Sequence, residues 1–339
     1  MQPFLDSHDV AEDGPELARR MERDGYLFIS GLLPCEPVQN LRMKVLKIAW
    51  DAGWVRSDRP LEDGIADQSG FCVDPEPAFL SVFSRMNKLP EYHALPHHPN
   101  IMAMLERMLA EPVMSHASII GRNIFPQHDA VTTRAHQDST SIQGSPDTYT
   151  AWIPFSDVPP EMGGLAIARG SHKEGPQDIR PVLGAGGLGV AEEREYDWVN
   201  SPFKQGDVLF FHSMSVHKGL PCRGERIRQS IDVRYQRVSD PIAPGSLTPY
   251  RAPKEWEEVY ADWPTDDLKY YWRKWDLNIV DYDFAYLHKR DRMAFEMAEN
   301  GDTDAISTLQ RIIALDRNPE KVKRAEELLA ALDQSILYD

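Results

Sequence analysis

The sequence predicts a mainly β core that is flanked along the chain by α-helices. Short β-like runs separated by Gly, Pro and Asp clusters fill about residues 113–240, a spacing typical of a β-sandwich or barrel. Apolar residues at helical spacing dominate the preceding segment, and helical patterns return beyond Pro249. We therefore expect one domain over residues 1–250 and a helical C-terminal extension over 251–339, which packs on the core or on a second subunit.

The N-terminal part is predicted to be helical with one short strand. The stretch "GPELARRMERDGYLFISGLL" begins as an amphipathic helix and passes into a strand from Tyr26 to Ile29. A helix is also expected in "CEPVQNLRMKVLKIAWDAGWV", whereas "SDRPLEDGIADQSGFCVDPEP" is rich in Gly, Pro and Asp and predicts a loop. The next helix lies in "HHPNIMAMLERMLAEPV", with Asn100 as its expected N-cap.

The β core is predicted from five runs: "SHASIIGRNIF", "YTAWIPFSDV", "GGLAIA", "GDVLFFHSM" and "RQSIDVRYQ". In the last run Arg228, Ser230, Asp232 and Arg234 share one face of the strand, and the alternate residues are mostly apolar. The apolar face can pack under helices. The polar face is therefore expected to point into the barrel and to mark a site there.

The C-terminal extension combines an aromatic-rich part with two helical patterns. The aromatic run from Trp256 to Trp275 predicts a helical face that packs on the core or on another subunit. The patterns "TDAISTLQRIIAL" and "NPEKVKRAEELLAALD" follow it. The second begins with Asn318 as N-cap and Pro319 at the first helical position, which predicts a well-defined helix start.

Charge and composition exclude several classes of protein. Asp and Glu number 53 against 37 Lys and Arg, and the net charge of -16 disfavours nucleic acid and anionic membrane surfaces as partners. No apolar run is long enough to span a bilayer, and the polar, acidic N-terminus does not fit a signal or transit peptide. Three widely spaced cysteines are typical of reduced thiols. We expect a soluble, cytoplasmic protein.

Two residues suggest a metal site. His136 and Asp138 stand two apart before a strand-like run, and on an extended segment this spacing directs both side chains to the same side. A non-haem Fe(II) oxygenase centre needs two imidazoles and one carboxylate. The second imidazole must come from a distant strand, and "GDVLFFHSMSVHKGL" offers His212 and His217. They are five apart, so one regular strand would present only one of them; the spacing favours His217 and suggests a structural role for His212.

Taken together, three stretches resemble the phytanoyl-CoA dioxygenase family: "HQD", "AWIPFSDVPPEMGGLAIARGSHKEG" and "GDVLFFHSMSVHKGLPCRGERIRQSIDVRY". With "DGYLFISGLL", the resemblance spans roughly residues 15 to 240. The resemblance implies a double-stranded β-helix (jelly-roll) fold that uses Fe(II), 2-oxoglutarate and O2. It also implies His136, Asp138 and His217 as the catalytic iron ligands.

The same resemblance implies a co-substrate pocket. It places the arginine for the distal carboxylate of 2-oxoglutarate eleven residues after the second histidine, where Arg228 stands. Arg226 has the same strand parity, so only the family spacing separates the two. Asn123, Trp152 and Ser230 match or adjoin positions that line this pocket. Some relatives have Ser two residues after the distal histidine, where this chain has Gly219, so we expect that co-substrate contact to be lost or to be supplied elsewhere, for example by Ser230.

We expect a dioxygenase that hydroxylates a C–H bond of a small molecule and releases succinate and CO2. Related halogenases lack the carboxylate, and Asp138 is present, which favours oxidation. The same centre also serves desaturation, epimerisation or ring formation, and a non-catalytic metal-binding jelly roll is the alternative of another class. Arg122, Arg134 and Arg234 are candidates for an anionic substrate group. The loop 57–77 and the region after Pro241 are expected lids, and a homodimer is compatible with the C-terminal helices.

Overall fold

A computed structural model describes residues 1–192 and 194–337. Its helices lie on either side of the β core in the chain, except for one short helix within the core segment, Ser139–Ile142. They are α1 (Gly14–Asp24), α2 (Cys35–Asp51), α3 (Pro77–Asn87), α4 (Pro90–Ala94), α5 (Pro99–Leu109), α6 (Ser139–Ile142), α7 (Trp256–Val259), α8 (Ala285–Glu299), α9 (Ile306–Leu315) and α10 (Pro319–Ala331).

The strands form two facing sheets and a small hairpin. They are β1 (Tyr26–Ile29), β2 (Val113–Ser115), β3 (Ile120–Ile124), β4 (Tyr149–Pro154), β5 (Gly164–Ala168), β6 (Ile179–Arg180), β7 (Gly189–Val190), β8 (Trp198–Val199), β9 (Val208–His212), β10 (His217–Leu220) and β11 (Arg228–Arg237). The larger sheet has the order β1-β9-β4-β11-β2, with β3 also paired to β11, and the smaller one has the order β10-β5-β8. The pairs within these two sheets are antiparallel, as in a jelly roll.

Strand β11 separates the hydrophobic core from the polar interior of the jelly roll. Its outer residues Ile231, Val233 and Tyr235 join the largest hydrophobic cluster, which includes α1, α2 and α5. Its inner residues Arg228 and Arg234 line the interior cavity. The predicted two-faced pattern of this strand is confirmed, and the polar face borders a cavity.

The core also includes a strand from the N-terminal part. Gly25 ends α1 with φ of 77°, and β1 then pairs with β9. A Cβ atom on Gly25 would lie 2.4 Å from Nδ1 of His172, so the close approach and the positive φ both require glycine. The β core therefore extends beyond the predicted 113–240, because the first strand of the chain closes one edge of the larger sheet.

Two local predictions were wrong. Helix α5 is capped by His98, whose side chain accepts a hydrogen bond from the Asn100 backbone N–H. The Asn100 side chain instead donates to the Leu32 carbonyl oxygen at 2.8 Å, which ties the helix to the turn after β1. The aromatic run 256–275 is not one helix, since it contains only α7 and a 3-10 turn at Tyr271–Lys274.

The C-terminal extension packs on the β core of the same chain. Trp256 and Trp272 from the aromatic run form a cluster with Met114, Ala117 and Ile242. Asn318 caps α10 as predicted, because its side chain accepts hydrogen bonds from the backbone N–H groups of the first turn. Within the described residues, no helix combines the length and the apolar character needed to cross a bilayer.

Candidate metal centre and its cavity

His136, Asp138 and His217 converge inside the jelly roll. His136 lies opposite His217 in an isolated antiparallel bridge next to β10, and Asp138 directly precedes α6. Oδ1 of Asp138 is 3.7 Å from Nε2 of His136 and 3.9 Å from Nε2 of His217. The three ligand atoms lie within 4.8 Å of one another, and among the described residues no other His, Cys, Asp and Glu group forms such a cluster.

Backbone contacts fix the orientation of both imidazoles. Nδ1 of His136 lies 2.8 Å from the Arg134 carbonyl oxygen, and Nδ1 of His217 lies 3.0 Å from the Ser215 carbonyl oxygen. A carbonyl only accepts, so each Nδ1 carries the proton and each Nε2 keeps a lone pair for a metal. Burial, together with the neighbouring His217, lowers the pKa of His136 to about 3, and burial also lowers the pKa of His217. Both rings are therefore neutral ligands near pH 7.

The Asp138 carboxylate is held by its other oxygen. Oδ2 accepts a hydrogen bond of 2.6 Å from the Thr150 hydroxyl and lies 3.1 Å from a guanidinium nitrogen of Arg234. Burial alone would raise the pKa of Asp138, but Arg234 and the two histidines outweigh it and hold this pKa well below its usual range. The carboxylate is thus ionised, with Oδ1 directed towards the two imidazoles.

The structure separates the two candidate distal histidines by ending one strand and starting another between them. His212 closes β9 in the larger sheet, and His217 opens β10 in the smaller sheet. Nδ1 of His212 accepts a hydrogen bond from the Met214 backbone N–H, while its Nε2 lies 3.6 Å from Asp147. The parity argument assumed one continuous strand and was wrong on that point, although His217 is the histidine in the cluster.

Arg228 lies beside the metal cluster and is held by one nitrogen. Its Nη1 donates to the carbonyl oxygens of Met162, Gly164 and Leu220, at 2.9, 3.3 and 3.0 Å. Its Nε is buried without a hydrogen-bond partner. Since a buried N–H without an acceptor is costly, this side is suited to receive a carboxylate. Burial lowers the pKa of Arg228, yet arginine stays protonated in proteins.

The other expected pocket residues are divided between two faces. Ser230, Trp152 and Gly219 line the same narrow cavity as Arg228 and the three ligands. Asn123 lies on the opposite face of β3, where its amide oxygen accepts a hydrogen bond from Gln229 at 2.8 Å and its amide nitrogen contacts Met86. The structure therefore places Asn123 in the packing between β3 and the helices rather than in the cavity.

A second cavity, of about 1140 Å³, opens from the metal cluster towards the C-terminal extension. On the β-core side it is lined by His136, Asp138 and other residues of the interior face. On the far side it is lined by residues of the extension, including Tyr282, Tyr286 and Arg311. A cavity of this size accommodates a drug-sized molecule next to the metal cluster.

Sequence reasoning missed Thr150 and the residues of the extension, and it named Arg122 and Arg234 without their carboxylate partners. Thr150 shares the inner face of β4 with Trp152, so the strand parity could have identified it. Arg234 was expected on the inner face and lies there, but it pairs with Asp138 rather than remaining free. Arg122 also faces the cavity and pairs with Asp232 at 2.9 Å. No local pattern points to the residues of the extension, because their place in the cavity depends on how its helices dock.

The chain was compared with known proteins. The family model for phytanoyl-CoA dioxygenase (PhyH) matches residues 21–230. Two curated relatives are the 1-deoxypentalenic acid 11-beta-hydroxylases of Streptomyces exfoliatus and Streptomyces arenae. The first is 29% identical over 266 residues, covering 74% of this chain and 90% of the relative. The second is 30% identical over 267 residues, covering 73% and 89%.

Among solved structures, a crystal structure of the epimerase SnoN in complex with Fe3+, alpha ketoglutarate and nogalamycin RO matches with a TM-score of 0.47 and 21% identity. The match covers 70% of this chain and 88% of that one. The family match extends over more than half of the chain and includes all three residues of the metal cluster. The chain therefore belongs to the phytanoyl-CoA dioxygenase family, whose members are Fe(II)- and 2-oxoglutarate-dependent oxygenases.

Proposed function

We propose that this oxygenase hydroxylates an unactivated C–H bond of a small-molecule metabolite while 2-oxoglutarate is converted to succinate and CO2. The observation that carries this proposal is that the Nε2 atoms of two histidines and one carboxylate oxygen of Asp138 converge. In each of these residues the other polar side-chain atom, Nδ1 or Oδ2, is already held by a hydrogen bond. The two hydroxylases among the relatives support hydroxylation as the outcome. The same set of metal-binding groups serves epimerisation, desaturation and ring closure, so identification of the product is needed to distinguish these reactions from hydroxylation.

The residues present fit an Fe(II) ion and 2-oxoglutarate. His136, Asp138 and His217 would hold the metal, since two neutral imidazoles and one carboxylate are the donor set of this class of iron centre. Arg228 would hold the distal carboxylate of the co-substrate, with Ser230 and Trp152 lining the same narrow cavity. When bound, iron and 2-oxoglutarate together activate O2 and supply the oxidant for the C–H bond.

The protein's own groups position the reactants and exclude water. The Thr150 hydroxyl and the Arg234 guanidinium hold Oδ2 of Asp138, which keeps Oδ1 directed at the metal position. The side chains of Asp138 and His217 are each only 6% exposed, whereas that of His136 is 21% exposed. The substrate therefore approaches from the His136 side, through the large cavity that this residue lines.

The kind of binding partner and the cellular location are proposed from less specific observations. A small-molecule substrate agrees with the cavity volume of about 1140 Å³ and with the relatives' printed activities. The absence of a nucleic-acid partner is proposed from the net charge of -16. A cytoplasmic location and a homodimer stay predictions from the sequence.

The proposal is tested by anaerobic titration of metal-free protein with Fe(II) and 2-oxoglutarate, monitored by the visible charge-transfer band of the chelate. We expect a band in the wild type, its loss in His217→Ala, and a requirement for at least about tenfold more 2-oxoglutarate in Arg228→Ala. His212→Ala is the matched control, because His212 lies outside the cluster. Folded protein that gives no band at any concentration would exclude an oxygenase and leave a metal-binding protein.

A further inference from the structure

Two buried arginines on the far side of the large cavity share a single carboxylate. Asp74, in the loop before α3, has Oδ2 at 2.9 Å from Nη2 of Arg311 and at 3.4 Å from Nη2 of Arg251. The Arg311 side chain is 3% exposed and the Arg251 side chain is 18% exposed. Two guanidinium groups against one carboxylate leave this trio with one surplus positive charge in the protein interior.

The other cations of the cavity wall are matched by carboxylates. On the β-core side, Arg122 pairs with Asp232 and Arg234 pairs with Asp138. On the helical side the ion pairs form a balanced set of two cations and two anions: Arg290 with Asp291, and Lys321 with Asp291 and Asp316. Asp281 also lines the cavity, but its side chain is exposed to solvent. Among the buried and half-buried charges that the structure describes along this cavity, the surplus therefore lies at Arg251, Asp74 and Arg311.

The trio also has unsatisfied hydrogen-bond donors. Nε of Arg251 and Nε of Arg311 are both buried without a partner, and Oδ1 of Asp74 is a buried acceptor without one, so the trio has two unsatisfied donors for one unsatisfied acceptor. A buried cation is stable only when it is paired and its donors are satisfied, so a surplus charge with free donors disfavours the empty state of this site. An anion bound at this trio would remove both costs. Arg251 and Arg311 line the same cavity as the metal ligands, so such an anion could belong to the substrate.

We infer that Arg251 and Arg311 bind a carboxylate of the substrate and thereby direct its apolar body to the metal cluster. A singly charged carboxylate matches the single surplus charge, whereas a phosphate would exceed it. Ile120, Ile142, Leu287 and Ile312 line the cavity and suit an apolar body. This inference rests on the proposed function and adds to it the substrate class, a monocarboxylic acid with a compact hydrophobic skeleton.

Binding is measured by isothermal titration calorimetry without O2, on protein loaded with Fe(II) and 2-oxoglutarate. The probes are 1-deoxypentalenic acid, dodecanoic acid and 3-phenylpropanoic acid, each beside its primary amide, which matches the acid in size but lacks the charge. We expect at least one acid to bind the wild type about tenfold or more tightly than its amide, because hydrogen bonds to a charged group are strong. Free coenzyme A is included as a phosphate-bearing probe and is expected not to bind at this trio.

The decisive quantity is the ratio of acid to amide affinity in Arg251→Gln. We expect this ratio to fall towards one in Arg251→Gln, to recover largely in Arg251→Lys, and to stay unchanged in Arg324→Gln, which removes an exposed arginine of α10 that pairs with Glu299. Arg251 is chosen because Arg311 also donates to the Ser307 carbonyl oxygen inside α9, so its loss could prevent folding.

Three results would overturn the inference. They are a wild-type ratio near one for every pair, no binding of any probe, or an unchanged ratio in Arg251→Gln, which includes an equal loss of acid and amide affinity and would mean a purely structural ion pair. Arg251-dependent binding of coenzyme A would likewise overturn the carboxylate assignment in favour of a phosphate. The charge-transfer titration is independent of Arg251, so a failed inference with an intact band leaves the proposed function standing.

Discussion

The two walls of the large cavity are built on different principles. On the β-core wall each metal-ligating side chain has a fixed partner on its far side: Arg134 for His136, Thr150 for Asp138 and Ser215 for His217. On the helical wall, Arg251 and Arg311 share one carboxylate and keep unpartnered N–H groups. The three side chains of the candidate metal centre are held in place before any ligand arrives, whereas the helical wall has positive charge left over for one.

The two walls also differ in whether the family model covers their residues. His136, Asp138, His217 and their supporting residues Arg134, Thr150 and Ser215 lie within the matched residues 21–230, whereas Arg251 and Arg311 lie outside them. The two walls are joined at α6, the short helix that follows Asp138. Gln143 exchanges two hydrogen bonds of 2.7 Å with the Asp283 backbone, and the Tyr282 hydroxyl donates to the Ser141 carbonyl oxygen. On the proposed function, this arrangement predicts that the chemistry and the choice of substrate are carried by separate parts of the chain and can vary independently.

The largest effect is expected from breaking the β-core wall at Asp138. Asp138→Ala removes the anionic ligand, so we expect succinate formation from 2-oxoglutarate to fall at least about 100-fold and the charge-transfer band to weaken with it. Asp147→Ala is the matched control, since Asp147 lies near the other histidine, His212, at 3.6 Å. Equal activity of Asp138→Ala and the wild type would contradict the assigned ligand set.

A smaller loss should follow when the carboxylate keeps its charge and loses its support. Thr150→Val removes the 2.6 Å hydrogen bond to Oδ2 of Asp138, and outer contacts of metal ligands typically contribute 10- to 100-fold in affinity. We expect the Fe(II) concentration for half-saturation of the band to rise by about tenfold in Thr150→Val and to stay near wild type in Thr150→Ser. If Thr150→Ser needs as much Fe(II) as Thr150→Val, the hydrogen bond from the hydroxyl does not account for the change in Fe(II) affinity.

A change on the helical wall should separate substrate from co-substrate. Leu287 lines the cavity from α8, and Leu287→Trp would fill part of its volume. We expect the KM for an accepted acid to rise about tenfold, while succinate formed without substrate and the charge-transfer band stay unchanged. Arg292→Trp, on an exposed position of the same helix, controls for added bulk. A weakened band in Leu287→Trp would show that the two walls are not independent.

Part of the pH dependence of stability should arise from two buried histidines outside the metal cluster, in addition to His136 and His217 within it. Burial lowers the pKa of both His93 and His116 to about 4, whereas an unfolded histidine titrates near 6.5. Between these values the unfolded chain binds more protons, so the stabilisation from neutral burial is complete above pH 6.5 and is lost as the pH falls towards 4. Each histidine contributes a slope of up to about 1.4 kcal/mol per pH unit.

Urea unfolding of the metal-free protein at several pH values measures this slope. We expect it to become shallower in His93→Gln and in His116→Gln, and to stay unchanged in His8→Gln, which alters an exposed histidine. His93 packs against Trp256 and Trp263 of the extension, so its protonation should loosen the support of the helical wall first. An unchanged slope in both buried variants would place the acid sensitivity elsewhere, in the metal ligands themselves.

Much of the β-core wall could be read from the sequence. Alternation along Arg228–Tyr235 predicted which side chains face the interior, because the period of a strand is fixed at two. The pair His136 and Asp138 predicted a metal site for the same local reason, and the family resemblance supplied His217 and Arg228. Asn318 could be identified as a helix cap because capping depends on only the next three residues.

The tertiary structure decided what depends on distant residues. Asn123 turned out to face the helices, since the register of β3 against β11 fixes its side and no local pattern sets that register. Capping of α5 passed to His98 because the Asn100 side chain found a partner in Leu32, 68 residues away.

The sequence by itself determined a β core, a polar strand face and two of the three residues that converge at the candidate metal centre, since each follows from local periodicity or spacing. Only the tertiary structure brought Asp74 to Arg251 and Arg311, which lie 177 and 237 residues further along the chain. That contact depends on the docking of helices whose own sequences specify an apolar face but not the surface it will cover.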